Sequence, residues 1–376
     1  MGELYTERKE PGKDSLPILS VSIHTGISDG ELDEENLGKT VRRSEDKSTY
    51  KHVYAGDLVF NMMRAWQGAI GSAPSEGMIS PAYISAVPNE KVYPPFMNYY
   101  VKRKAMIEQI NSLSYGVTDF RKRLYWDSFI RVKCMLPSFE EQKRIAGTLK
   151  KYDGIIAVQE KELERLYYFK KGMLQKMFPK EGVSVPEIRF PGFTSPWEQR
   201  KLGELAVFNP KAKLPDVFEY VDLESVVGTE MLSHRTESRK TAPSRAQRLA
   251  ETGDLFYQTV RPYQKNNYLF EKSDKHYVFS TGYAQMRPVV DGRFLFCLVQ
   301  NDGFVKDVLD NCTGTSYPAI NSNALAEIDV YSPVDPQEQK LIGDFFKGID
   351  ALITIHQCEY NKWKELKNGL LQQMFV

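Results

Sequence analysis

No apolar run in this chain approaches the ~20 residues that a membrane span needs. The longest, such as Phe294 to Val299, fit a buried strand. The start, Met1-Gly2-Glu3-Leu4, is polar and carries no secretory signal, so a cytoplasmic protein with no membrane partner is expected. Cysteine is scarce. Cys134, Cys297, Cys312 and Cys358 form no C-x-x-C pair, which fits reduced, buried thiols. The histidines His24, His52, His234, His276 and His356 do not fall at metal-ligand spacing with the cysteines or one another. Nucleotide and dinucleotide loops of the G-x-x-x-x-G-K-[ST] and G-x-G kinds are missing. Phe208-Asn209-Pro210-Lys211 sets Asn-Pro beside an aromatic but lacks the second proline and closing aromatic of an amino-methyltransferase motif. With no catalytic constellation, the expectation is a binding protein without cofactor or metal. The net charge of +1 neither demands nor excludes nucleic acid, so a nucleic-acid binder would have to concentrate its basic residues locally.

What the chain does contain is itself, twice. Glu141-Gln142-Lys143 recurs 197 positions later as Glu338-Gln339-Lys340. The same offset holds without a gap to Met177-Phe178 against Met374-Phe375, matching Lys150 to Lys347, Asp153 to Asp350, Lys170 to Lys367 and Gly172 to Gly369. A period this long is no solenoid repeat of the usual 20–50 residues. Two copies of one unit are implied, each a globular part followed by a long segment, over 1–137, 138–178, 179–334 and 335–376.

Both long segments carry apolar residues stepping by three and four. The first runs Ile145, Leu149, Tyr152, Ile156, Leu163, Leu166, Met173, Met177, and the second Ile342, Phe346, Ile349, Ile353, Tyr360, Trp363, Leu370, Met374. That stripe predicts coiled-coil helices, interrupted at Gln159/His356 and at Lys170/Lys367, where polar residues reduce stability but fix register. Ser138 with Glu141, and Asp335 with Glu338, read as capping boxes, and Pro336 suits a first helical position. A helix of about 40 residues extends roughly 60 Å. An antiparallel pair is favoured, because a globular part must leave the end of one helix and enter the start of the next; a purely structural hairpin is the bland alternative.

The offset reaches into the globular parts. Gly56-Asp57-Leu58 falls on Gly253-Asp254-Leu255, and Arg64 on Arg261. Short β-prone runs (Tyr54 to Met62, Tyr277 to Met286, Ile328 to Tyr331) with helical stretches over Tyr99 to Ser112 and Leu295 to Leu309 predict an α+β fold. Basic residues gather in matched places: Arg235, Arg239, Lys240, Arg245 and Arg248 in one copy, Arg42, Arg43 and Lys51 in the other. Cations on loops suit phosphate contacts, although a charge run also makes an ordinary solvated face. Arg64 is followed by Trp66-Gln67, and Arg261 by Tyr263-Gln264-Lys265, side chains that bond purine edges or pack beside them. A structural ion pair is the alternative for both arginines. Arg121-Lys122-Arg123 is a third candidate, and its counterpart, Tyr317 to Asn321, is uncharged, so the two copies would read different bases.

Two divergent domains alternating with similar helices that open at Glu-Gln-Lys resemble the specificity subunits of type I restriction–modification systems. Pro186-Glu187-Ile188-Arg189-Phe190-Pro191-Gly192-Phe193, Trp197 and Lys201-Leu202-Gly203-Glu204-Leu205 are similar to that family's domain-start motif. The first domain opens at Gly2-Glu3-Leu4 without a counterpart of Phe190 to Trp197, a departure that fits a late start, a truncated or rearranged gene product, or a trimmed chain alike. The resemblance implies two target recognition domains, each reading half of a bipartite site in double-stranded DNA, with an antiparallel coiled coil as the ruler of the unread gap. It also implies two modification (methyltransferase) subunits docked on the helices, for which Lys161, Tyr167 and Tyr168 are candidates, and ATP-dependent restriction subunits. A coiled-coil adaptor that bridges partners without touching DNA is the competing class, followed by a nucleic-acid enzyme with an unfamiliar motif.

Overall fold

The computed structural model describes residues 1–23, 26–29, 48–116, 121–273, 276–314 and 316–375. The chain divides into two compact units, Met1–Val158 with Tyr360–Val376, and Gln159–Glu359.

The first unit is built on a four-stranded antiparallel sheet in the order Tyr5–Arg8, Tyr83–Pro88, Leu58–Asn61, Ile70–Ser72. Alternation along Leu58-Val59-Phe60 sends Leu58 and Phe60 into a core with Phe96, Met97, Ile110 and Phe129, while Val59 joins Leu19, Val53 and Ile79 on the other face. The second unit repeats this sheet as Ala206–Phe208, Tyr283–Pro288, Leu255–Gln258, Tyr268–Leu269. Leu255 and Tyr257 meet Phe294, Leu298 and Val308, and Phe256 meets Phe279 and Tyr283 opposite. A second sheet, ordered Arg235–Ser238, Val217–Val221, Tyr277–Ser280, Ala246–Leu249, completes it.

The repeated Gly-Asp is a surface turn that closes on a buried aspartate in both units. Gly56 (φ 93°) and Gly253 (φ 96°) are left-handed, the region that favours glycine. The next residue closes the turn, Asp57 accepting from the Tyr54 N–H at 3.0 Å and Asp254 from Glu251 at 2.8 Å. Each aspartate then takes an arginine, Arg8 at 2.6 Å and Arg287 at 2.9 Å. Each expected helical stretch resolves into two helices, Pro94–Tyr100 with Lys104–Leu113, and Gly292–Gln300 with Asp302–Asp310. The second break comes from Asn301, whose extended backbone leaves the helix while its side chain caps Gly303 N–H.

The long helices span Phe139–Lys176 and Pro336–Gln373, 38 residues each, about 57 Å. The glutamine of the repeated Glu-Gln-Lys stitches each helix to its own domain. Buried Gln142 accepts from Tyr93 N–H (2.8 Å) and donates to the carbonyls of Lys91 (2.9 Å) and Pro137 (3.0 Å). Gln339 accepts from Asp291 N–H (3.2 Å) and donates to Pro333 (3.0 Å). The capping-box reading is half right. Ser138 Oγ and Asp335 Oδ1 do cap backbone N–H groups, at 3.3 and 2.8 Å. Glu338, however, is 1% exposed and forms a two-bond ion pair with Arg189 (2.6 and 2.8 Å), with Trp197 Nε1 donating at 3.3 Å. The domain-start motif thus anchors the helix start within the second unit.

The apolar stripe serves domain cores as well as the other helix. Ile145 and Leu149 lie in the first core, and Ile342, Phe346 and Ile349 in the second. The closing Met-Phe pair is a plug: Phe178 packs on Phe294 (5.7 Å) and Trp197 (5.8 Å), and Phe375 on Phe96 (5.2 Å) and Tyr100 (5.8 Å). The long segments also touch each other within each unit. In the first, Tyr152 meets Trp363 and Asp153 pairs with Lys367. In the second, Gln159 meets His356, Phe169 meets Phe345 and Lys170 pairs with Asp350 at 2.6 Å. The lysines expected as interruptions therefore have carboxylate partners, and the two pairs are the same pair with the copies exchanged. Gln159 Oε1 lies 2.7 Å from Nδ1 of its own counterpart, His356.

Candidate nucleic-acid interface

In each unit two of the expected loops meet. In the first, Leu124 N–H donates to Met62 carbonyl (2.8 Å), next to the bridge between Tyr115 and Arg123, so this bridge lies by the turn that follows Asn61. In the second, Ile320 N–H donates to Thr259 carbonyl (3.0 Å) and Arg261 N–H to Pro318 carbonyl (2.8 Å). Gly116 permits the first closure, since a Cβ there would stand 2.3 Å from the Arg121 carbonyl oxygen.

A cation–aromatic contact spans both loop pairs with its partners interchanged. Lys122 Nζ lies 5.9 Å from the Trp66 ring, cation on the second loop and aromatic on the first. The Arg261 guanidinium lies 4.5 Å from the Tyr317 ring, cation on the first loop and aromatic on the second. Arg64, Gln67, Arg121 and Arg123 are exposed around the first pair, and among the described residues none has a side-chain hydrogen bond or ion pair. Trp66 is half-buried and donates from Nε1 to Met63 carbonyl at 3.0 Å, and Lys122 also donates to Asn111 Oδ1 at 2.7 Å. Neither Arg64 nor Arg261 has a carboxylate partner among the described residues.

The second loop pair is more tightly built. Arg261 (φ 55°) and Lys265 (φ 54°) both occupy the left-handed region, strained for residues with a Cβ, on either side of the turn Pro262–Gln264. Buried Gln258 donates to Val260 carbonyl (2.6 Å) and Gln264 Oε1 (2.9 Å). Lys265 donates to Gln300 carbonyl (2.8 Å) and pairs with Asp302, holding that carboxyl below its ordinary range. Lys265 and Gln264 are therefore braces of the loop, and Tyr263 is its exposed tip. Gln258 and its counterpart Asn61, which caps Met63 N–H at 3.0 Å, escaped the sequence reading; both fall at the end of the strand leading into the loop.

The other basic residues lie apart. Arg42 and Arg43 lie outside the described residues. Lys51 is half-buried, donates to Tyr83 carbonyl at 2.8 Å, and is held below the usual lysine range by burial. Arg235 is tied to Asp222 and Glu237, each at 2.8 Å, and Arg239 to Asp216 at 2.7 Å. Lys240 and Arg245 are exposed. Arg248 is half-buried, its Nε without a partner among the described residues and its charge disfavoured by burial. Lys161, Tyr167 (53% exposed) and Tyr168 (69%) do lie open on the first long helix. Sequence reading missed the exposed pair Ile155 and Val158, and the pair Leu352 and Ile355 at the matching positions of the second helix. No His/Cys/Asp/Glu group able to hold a metal occurs among the described residues, nor any helix long and apolar enough to cross a membrane.

No family model matches the chain. Curated relatives do. The type I restriction enzyme MjaVIII specificity subunit of Methanocaldococcus jannaschii is 24% identical over 80% of this chain and 74% of its own length. The putative type I restriction enzyme MjaX specificity subunit of the same organism is 24% identical over 99% of this chain and 89% of its own. Over most of its length the chain is similar to specificity subunits of type I restriction–modification systems. Solved structures agree on the fold. The S subunit from M. genitalium matches with a TM-score of 0.61 at 13% identity, covering all of this chain and 94% of that one. A chain from a study of complex assembly and conformational transition of the type I R-M system matches with a TM-score of 0.56 at 16% identity, over 100% and 96%. Here two regions of mixed strands and short helices alternate with two long helices in one chain.

Proposed function

We propose that this chain, as a specificity subunit, reads a bipartite site in double-stranded DNA, one half by the paired loops of each unit, without itself catalysing a reaction. In this reading the chain is organised as target recognition domains over 1–137 and 179–334 and helical spacers over 138–178 and 335–376. The spacers act as an antiparallel coiled coil whose length sets the unread gap. The observation that carries the reading is the duplicated loop pair. Each unit builds one construction, a bound strand end, a backbone clasp and a cation–aromatic bridge, but presents different side chains from it. That is what reading two different half-sites requires, since base edges are distinguished by donor and acceptor pattern.

Uncompensated cations support a polyanionic partner. Arg64, Arg121 and Arg123 of the first unit, and Lys240 and Arg245 of the second, are exposed, whereas an adaptor surface has no need of them. The matched apolar pairs Ile155/Val158 and Leu352/Ile355, with Lys161, Tyr167 and Tyr168 nearby in sequence, serve in this proposal as docking surfaces for two modification subunits; ATP-dependent restriction subunits would join that assembly. Salt titration of DNA binding tests the reading against the adaptor. A steep fall of affinity with salt, together with preference for one split site, is expected. Salt-independent or absent binding by the assembled complex would favour the adaptor.

A further inference from the structure

Arg261 is the least ordinary residue of either loop pair. It is half-buried, sits in a backbone region that side chains avoid, and has no carboxylate within reach among the described residues. Its guanidinium instead lies against the face of Tyr317, and its N–H is tied to Pro318 carbonyl in the same loop. Strain of this kind persists only where surrounding structure enforces it, and here Gln258 and the Lys265–Asp302 pair do so. A guanidinium held over a ring face is restricted in orientation while its N–H groups remain available for two parallel bonds to one planar acceptor edge. Among base edges, guanine offers two adjacent acceptors, N7 and O6, in the major groove.

We infer that Arg261 reads a guanine in the half-site of the second unit, with Tyr317 as the positioning residue that holds its plane. The inference rests on the DNA-reading role proposed above and adds the base and the residue. Among the described residues the first loop pair has no equivalent arginine bridge; its cation is Lys122, a point charge that does not fix a plane. Its base contacts therefore come from other side chains, and its half-site obeys a different rule.

The test is methylation-motif mapping and equilibrium DNA binding for the full chain assembled with its modification subunits. Arg261→Ala is expected to lower discrimination for guanine at one position of one half roughly 10- to 100-fold, leaving the other half unchanged. Tyr317→Ala should relax the same position by several-fold, and Tyr317→Phe, which keeps the ring, should restore it. Arg261→Gly controls for folding. Glycine suits a φ of 55°, so this variant should unfold no more easily than the parent yet lose the guanine preference. Unchanged base preference in Arg261→Gly would overturn the inference, as would equal losses at both halves from Tyr317→Ala. A split motif containing no guanine in the half affected by Arg261 would overturn it while leaving the DNA-reading role standing. No motif even for the parent complex would remove that role, and the inference with it.

Discussion

Replacing Gln142 by alanine should destabilise the first unit more than any single change on the helix surface. Its amide makes three bonds, at 2.8, 2.9 and 3.0 Å, to backbone groups of Tyr93, Lys91 and Pro137, in a site where the residue is 1% exposed. A net intramolecular hydrogen bond contributes about 1 kcal/mol, and each buried group left without a partner adds a desolvation penalty of similar size. Three bonds at about 1 kcal/mol each, with one N–H, that of Tyr93, left stranded, give about 4 kcal/mol for Gln142→Ala. Gln339 bonds Asp291 N–H at 3.2 Å, Pro333 carbonyl at 3.0 Å and the Ser332 hydroxyl at 3.4 Å, a longer and weaker set, so Gln339→Ala should cost about 2 kcal/mol. Gln142→Glu would retain the acceptor but turn carboxylate oxygen toward two carbonyl oxygens, and should be no better than alanine. Urea unfolding measures the loss, and hydrogen exchange localises it, because Tyr93 N–H should lose protection in Gln142→Ala. A loss below about 1 kcal/mol with Tyr93 still protected would refute the reasoning, showing that water or a rearranged backbone replaces the glutamine.

Three further outcomes are expected. Arg189→Ala leaves Glu338 buried without its cation and should destabilise the second unit by about 3–5 kcal/mol, whereas Arg189→Ala with Glu338→Gln should recover part of that loss in urea titrations. Exchanging the charges of Lys170 and Asp350 should restore most of what either single reversal costs, with a coupling of about 0.5–1 kcal/mol for these partly exposed groups. The equivalent exchange at Lys367 and Asp153 should give a similar coupling, and a double-mutant cycle showing none at either place would deny that the pairs set helix register.

The offset of 197 made the duplication, the two long helices and the matched loops legible, because each depends on residue order alone. Partners at long range were not legible. Glu338 reads locally as a capping residue, and only folding brings Arg189, 149 positions earlier, onto it. Lys170 and Lys367 break an apolar stripe in sequence, and their compensating charges sit on the other helix. Periodicity assigned Ile145 and Ile342 to an interhelical seam, but a helix start docked on a domain buries the same face there. At the loops, residue type found Arg261 and Lys265 together, yet one is aimed by an aromatic ring and the other is tied to Asp302.

The most direct test of the duplicated reader with a helical ruler is adenine methylation mapped across a genome in cells carrying this chain with its modification subunit. The map should be made for the parent and for variants with helical residues inserted near Gly154 and Ala351. The account predicts a split motif with a fixed gap, dependent on this chain, in which the insertions change the gap and leave both half-sites intact. Insertions that keep the gap but alter the bases read would contradict it.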